Sequence, residues 1–175
     1  MPERSRRELF RKLLSPDGPR QEPPDPGYRR PPGALAESAF RKSCSASGDC
    51  VEACPKGAIF VFAENAGELA GTPLMLTGER PCSLCEGFPC AAACPTGALS
   101  VPEPAAVKLG TARIVTEHCL AHRGPECGAC AGLCAAGADA LRLVAGKPVV
   151  DEGRCNGCGL CLPACPTSPR AIEMA

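Results

Sequence analysis

Four times along the chain the same short cysteine unit returns, and any fold must accommodate it. Each copy closes on a Cys-x3-Cys pair: Cys50 with Cys54, Cys90 with Cys94, Cys130 with Cys134, and Cys161 with Cys165. Pro follows the pair in three copies and Ala135 in the other. The final cysteines are 40, 40 and 31 residues apart. A similar tail comes next: Lys56-Gly57-Ala58-Ile59, Thr96-Gly97-Ala98-Leu99, Ala136-Gly137-Ala138, and a longer stretch from Thr167 to Ile172. Repetition of this kind marks one small structural unit used several times.

The fourth copy is the most regular, Cys155-x2-Cys158-x2-Cys161-x3-Cys165-Pro166. This is the spacing of a bacterial [4Fe–4S] run, in which three thiolates converge from a tight loop and the fourth reaches a neighbouring cluster. Gly157 and Gly159 allow the loop to turn without Cβ clashes. Copy two lengthens the middle, Cys82-x2-Cys85-x4-Cys90-x3-Cys94. Copy three lengthens the front, Cys119-x7-Cys127-x2-Cys130-x3-Cys134. Copy one has only Cys44, Cys50 and Cys54, with Ser47 where the second cysteine should stand. That one departure accounts for 15 cysteines where four full copies would hold sixteen. Two readings of the first site follow. Either its cluster is lost or iron-poor, or it keeps one weaker oxygen ligand from Ser47, Asp49 or water, or forms a [3Fe–4S] centre; iron of this kind prefers thiolate to oxygen.

Other uses of cysteine fit less well. Zinc sites close with two Cys pairs or with His, and this chain has only two His, His118 and His122, which flank Cys119 and read as surface residues of its loop. A disulfide framework conflicts with the odd cysteine count and with a reducing compartment.

Charge narrows the partners. Lys+Arg and Asp+Glu both total 19, without the basic surplus that a phosphate backbone calls for, so no nucleic-acid partner is expected. Residues 1–33 carry 8 basic and 5 acidic side chains, and 34–175 carry 11 and 14. No apolar run approaches the roughly 20 residues of a membrane span. The start, Ser5-Arg6-Arg7-Glu8-Leu9-Phe10-Arg11-Lys12, is similar to a twin-arginine export signal. The polar, helix-breaking Ser15-Pro16-Asp17-Gly18-Pro19 follows where an apolar region would be needed, so the expectation is a cytoplasmic protein, with periplasmic export as the alternative. Residues 1–33 read as a basic, Pro-rich and partly disordered segment with a short helix over 4–14.

The rest predicts an α+β chain poor in regular structure: tandem 2[4Fe–4S] ferredoxin-like modules, 34–104 with copies one and two, and 105–175 with copies three and four. With 19 Gly and 20 Pro, only short helices and hairpins are expected. Ala140–Val144 and Pro148–Asp151 form the clearest hairpin. The other expected strand pairs are Ala58–Phe62 with Pro73–Thr77, and Ala98–Val101 with Ala112–Thr116. Sequential pairing of the copies would join Cys119, Cys127 and Cys130 with Cys165, and Cys155, Cys158 and Cys161 with Cys134. A nested pairing uses the same cysteines differently; the hairpin favours the sequential one.

Beyond spacing, the sequence resembles the ferredoxin-type proteins of the NapF and NapG/MauM kind. The matching stretches are Arg30-Pro31-Pro32-Gly33-Ala34 leading to Phe40, Gly71-Thr72-Pro73, Pro81-Cys82-Ser83-Leu84-Cys85-Glu86-Gly87-Phe88-Pro89-Cys90, Cys119-Leu120-Ala121 with Cys127 and Cys130, and Cys155-Asn156-Gly157-Cys158-Gly159. The resemblance implies an iron–sulfur electron-transfer protein with three to four [4Fe–4S] clusters. It would be a carrier or accessory subunit rather than an enzyme, serving a periplasmic nitrate reductase or a methylamine-dehydrogenase-type system. Its partner would be the molybdenum reductase subunit or a membrane quinol-oxidising complex. The NapF branch implies an alternative, a cytoplasmic maturation factor for the reductase. No nucleophile triad, phosphate loop or dinucleotide turn is present.

Overall fold

The computed structural model describes residues 27–175; the expected helix over 4–14 lies outside the described residues. Its helices are single turns, apart from α1 (Glu37–Ser43). Each of the others begins at or beside a cysteine: α2 (Asp49–Glu52), α3 (Pro89–Ala92), α4 (Leu120–Arg123) and α5 (Cys161–Ala164). Short helices follow from the sequence, because Gly, Pro and cluster-loop residues interrupt every run before a second turn can form.

Three two-stranded antiparallel ribbons frame these loops. β1 (Phe60–Val61) pairs with β2 (Pro73–Leu74), Phe60 opposite Leu74. β4 (Leu141–Val144) pairs with β5 (Lys147–Val150) across the two-residue turn Ala145-Gly146. Both turn residues have positive φ, 49° and 77°, the conformation that matches the natural twist of a hairpin. The third ribbon departs from the sequence expectation. β3 (Ala112–Ile114) pairs with β6 (Ile172–Met174), Ile114 opposite Ile172, and not with Ala98–Val101. Leu99 instead forms a bridge with Ala34, flanked by Leu35 N–H to Ala98 O and Ser100 N–H to Gly33 O. The intervening Pro102-Glu103-Pro104 lacks two N–H donors and leads into a 3-10 turn at Pro104–Ala106, so the chain cannot fold straight back on itself. Each half is thus closed by a pairing between the residues before its first cysteine and those after its last.

Two apolar clusters follow the same division. The first holds Phe40, Ile59, Met75, Phe88, Leu99, Val107 and Leu109 around Cys50, Cys82, Cys90 and Cys158. The second holds Ala112, Leu141, Leu162 and Ile172 around Cys130 and Cys161. Cysteines and alanines fill much of both, and among the described residues the largest side chains buried to below 2% exposure are just Phe40, Met75 and Pro31. So small a core leaves stability to be supplied by something other than burial.

Residues 27–33, at the end of the basic segment, are built into the first core. Arg29 bridges to Met75 through paired backbone hydrogen bonds of 2.9 and 2.7 Å. The Arg30 side chain is only 8% exposed. Its guanidinium donates two hydrogen bonds to the Glu37 carboxylate, at 2.9 and 2.7 Å, and one to Thr72 Oγ1 at 3.0 Å. It also lies over the Phe40 ring, 4.5 Å from the centroid, and that hydrogen bonding holds the Glu37 carboxyl below its ordinary pKa. A planar, bidentate cation stacked on aromatics cannot be replaced by a point charge. Arg30→Met is expected to cost about 2 kcal/mol of unfolding free energy, because it leaves Pro73 O without its donor and removes a cation stacked on Phe40, while the exposed Glu37 carboxylate returns to water. Denaturant titration of the iron-loaded protein checks this; a loss below about 0.5 kcal/mol, the range of an ordinary surface change, would show that Arg30 is peripheral.

Candidate iron–sulfur sites

All fifteen cysteines fall within the described residues, and none is in a disulfide. The fold gathers them by exchange between neighbouring copies. Cys44, Ser47 and Cys50 of copy one line a cavity with Cys94 of copy two. Cys82, Cys85 and Cys90 of copy two line another with Cys54 of copy one. A third is lined by Cys119, Cys127 and Cys130 of copy three with Cys165 of copy four. Cys155, Cys158 and Cys161 of copy four lie near one another, with Cys134 of copy three beside Cys158. Each of these groups brings together cysteines of copies one and two, or of copies three and four.

The three cavities have nearly equal empty volumes of about 360, 350 and 330 Å³, open margins included. Among the described residues, no three His, Cys, Asp or Glu side chains close on a single metal-ion position. Cysteines spaced around a cavity, rather than drawn together on one point, fit a polynuclear cage and do not fit mononuclear zinc.

Local structure places each sulfur. In copies one, two and four the last cysteine of the loop sits at a buried helix start: Cys50 in α2, Cys90 in α3 and Cys161 at the head of α5. Burial pushes the Cys82 and Cys90 thiols up to about 11 and the Cys161 thiol to about 12, with neighbouring cysteines adding to each. Such groups give up their protons only when a cation compensates the charge. Two of the cysteines from the neighbouring copy, Cys94 and Cys165, are handled differently. For Cys94, burial raises the pKa, but hydrogen bonds from the Leu99 N–H and from Thr96 outweigh it and leave the thiol below its ordinary value. For Cys165, bonds from Thr167 and the Ala171 N–H outweigh burial in the same way. N–H···S contacts of 3.3–3.4 Å reach Cys54 from Ala58, Cys82 from Leu84, Cys94 from Leu99, Cys155 from Ala112 and Cys165 from Ala171.

Sequence reasoning missed the two threonines. Thr96 Oγ1 lies 3.7 Å from Cys94 Sγ, and Thr167 Oγ1 lies 3.2 Å from Cys165 Sγ. The signal was the shared Cys-Pro-Thr in copies two and four, where copy one has Lys56 and copy three Ala136.

At the first site, exposed Ser47 lines the cavity and its hydroxyl donates to Asp49 Oδ2 at 3.1 Å; Asp49 itself is not among the lining residues. His118 and His122 are half-buried and line none of the cysteine cavities described. Each has one ring nitrogen, Nδ1 and Nε2 respectively, buried without a hydrogen-bond partner, so they are less superficial than their loop suggests.

Comparisons with known proteins agree with this geometry. A 4Fe-4S binding domain family matches residues 147–172. The methylamine utilization ferredoxin-type protein MauM of Paracoccus denitrificans is 37% identical over 163 residues, covering 87% of this chain and 73% of that protein. The ferredoxin-type protein NapG of Escherichia coli K12 is 35% identical, covering 83% and 69%. The chain belongs to the ferredoxin-type MauM/NapG/NapF family. NapF of E. coli K12 is 32% identical, covering 82% of this chain and 84% of NapF. No solved structure matches. As a member of this family the chain is a 4Fe-4S ferredoxin-type electron-transfer protein.

Hydrogen bonds to cluster sulfurs favour the more negative, reduced state and so raise the potential. Thr167→Val is expected to lower the midpoint of one cluster by tens of millivolts, since a hydrogen bond is worth about 1 kcal/mol and about 59 mV corresponds to a tenfold one-electron change. An EPR-monitored redox titration checks this; an unchanged set of midpoints would mean that the hydroxyl does not reach the cluster.

Proposed function

We propose that the chain carries one cluster in each of four sites, arranged as two ligand-exchanging ferredoxin-like modules, 34–104 and 105–175, and that it relays single electrons for a partner oxidoreductase. The observation that carries this reading is the recurrence of one cavity of nearly constant size, each lined by three residues of one copy and a fourth cysteine from its neighbour. The clusters supply the one-electron couple, whose potential in proteins spans about −700 to +450 mV. The polypeptide holds them, excludes water with Phe88, Ile59 and Leu162, and directs N–H and hydroxyl donors at the sulfurs.

The proposed ligands are Cys44, Cys50 and Cys94 at the first site; Cys54, Cys82, Cys85 and Cys90 at the second; Cys119, Cys127, Cys130 and Cys165 at the third; and Cys134, Cys155, Cys158 and Cys161 at the fourth. At the first site Ser47 takes the vacant corner, oriented by Asp49, which accepts its proton. An oxygen-ligated iron is held less firmly than a thiolate-ligated one, so this corner is where a [3Fe–4S] form would arise. Anaerobically purified protein should contain about sixteen iron and sixteen sulfide per chain for four intact clusters, or about twelve of each for three. Ser47→Cys is expected to raise iron content and alter the low-temperature EPR; if neither changes, the first site holds no cluster. Stripping the metal should abolish the cooperative melt, because coordination replaces the missing core; a metal-free chain melting near the holo temperature would contradict this.

For the partner, we infer a methylamine-oxidising or nitrate-reducing system, by resemblance to MauM and NapG, with the molybdenum subunit or a quinol-oxidising complex as candidates. The second reading, a maturation factor for the reductase, rests on the resemblance to NapF, with the basic stretch 4–12, five basic side chains against one acidic, as the grip. Removing residues 1–26, which spares the packing of Tyr28 on Phe62, separates the two. A carrier keeps its electron-transfer rate to the partner; a maturation factor loses partner binding with its clusters intact.

A further inference from the structure

The exchange of cysteines ties copy one to copy two and copy three to copy four, but it leaves open how the halves communicate. The contact between them is tight and local. Cys82 N–H donates to Cys158 O at 2.8 Å, and Leu109, which packs in the first apolar cluster although it belongs to the 105–175 stretch, donates its N–H to Asn156 O at 2.8 Å. Cys158 is buried within the first apolar cluster, with Leu160 packed against it. A Cβ on Gly159, whose φ is +86°, would lie 2.5 Å from Thr77 O. Glycine at 159 therefore allows the fourth loop to press directly on the backbone of the first half. Arg170 reaches across to Gly78 O at 2.8 Å, and Leu162 lies beside Gly78. The outer cavities take no part in this seam. The first is lined entirely by residues between Phe40 and Leu99, and the third by residues between Ile114 and Ile172.

We propose that Cys82 and Cys158 join the two halves into a single unbranched relay, so that the sites are ordered one, two, four, three along the electron path rather than in sequence order. This deepens the four-cluster reading and rests on it. Tunnelling falls off exponentially with distance, so the closest pair across the seam sets the crossing. That pair is the second and fourth sites, whose ligand cysteines share a backbone hydrogen bond. Each transfer moves one electron: one site is oxidised by one, its neighbour is reduced by one, and no bond or proton changes. The two ends of the relay are the first and third sites, where an external one-electron reductant and a one-electron acceptor would meet the protein. The rim of the first end is the exposed Ser45, Ala46 and Ser47.

The test uses a full-length variant that keeps only the inner pair, Cys44→Ala and Cys50→Ala with Cys119→Ala and Cys127→Ala. After dithionite reduction it should hold about eight iron and eight sulfide per chain and show an EPR spectrum split by spin–spin coupling between two clusters. The same iron content with a simple sum of two isolated signals would overturn the order. Hydrogen exchange of the unaltered holo-protein provides a second measurement, read by mass spectrometry on a peptide spanning Cys82, whose N–H crosses to Cys158 O. Protection there supports the seam; exchange as fast as the exposed 103–106 segment overturns it, even if the variant takes up no iron. Wild-type protein lacking iron altogether would defeat the cluster reading itself, a different result from an uncoupled pair.

Discussion

A buried thiolate without a cation beside it is the state this polypeptide cannot sustain. Its halves have little else to enclose: the cores are assembled from Ala, Cys and a few large side chains, and sulfurs occupy their centres. Burial there drives Cys82, Cys90 and Cys161 toward the protonated form, so ionised ligands and a positively charged inorganic centre must arrive together. Fold and cofactor are therefore one equilibrium in a chain of this kind.

Around that constraint, the donors are distributed unevenly. The loop cysteines are held by helix starts inside the core, whereas Cys94 and Cys165, contributed from the neighbouring copy, collect hydroxyl and N–H donors that offset their burial. Cys94 and Cys165 are thus the cysteines whose sulfurs the polypeptide most directly stabilises as anions. Copies one and three lack the threonine, so each half has one exchanged sulfur with a hydroxyl and one without. Such an asymmetry gives sites of the same ligand type different surroundings, one of the means by which proteins spread cluster potentials.

What could be read from the sequence was whatever is encoded locally. The cysteine set and its four-copy division follow from spacing, and the β4–β5 ribbon from Ala145-Gly146, whose two residues supply the turn by themselves. The partner of Ala112–Ile114 could not be read that way. Nothing near Ala112 specifies Ile172, and the pairing arises only once copies three and four have closed on each other. Arg30 looked like one more charge in a basic segment, because the Glu37 carboxylate, the Phe40 ring and the Pro73 carbonyl that hold it lie 7 to 43 residues away. The contact of Gly159 with Thr77 was equally hidden: a glycine in a cluster loop already has a local reason to be there, and the sequence cannot show that a second, distant backbone also requires it.

The seating of Cys158 within the first core has a consequence for the order in which the protein is made. By the time Ser100 has left the ribosome, every ligand of the first two cavities has been synthesised, and that half could take up iron while the remainder is still being translated. Its apolar centre would nonetheless stay uncovered on one side until the loop at 155–161 emerges, more than fifty residues later. Nascent chains paused in that interval would expose a reduced, oxygen-sensitive centre, which makes the speed of translation through copies three and four part of how the first half is protected.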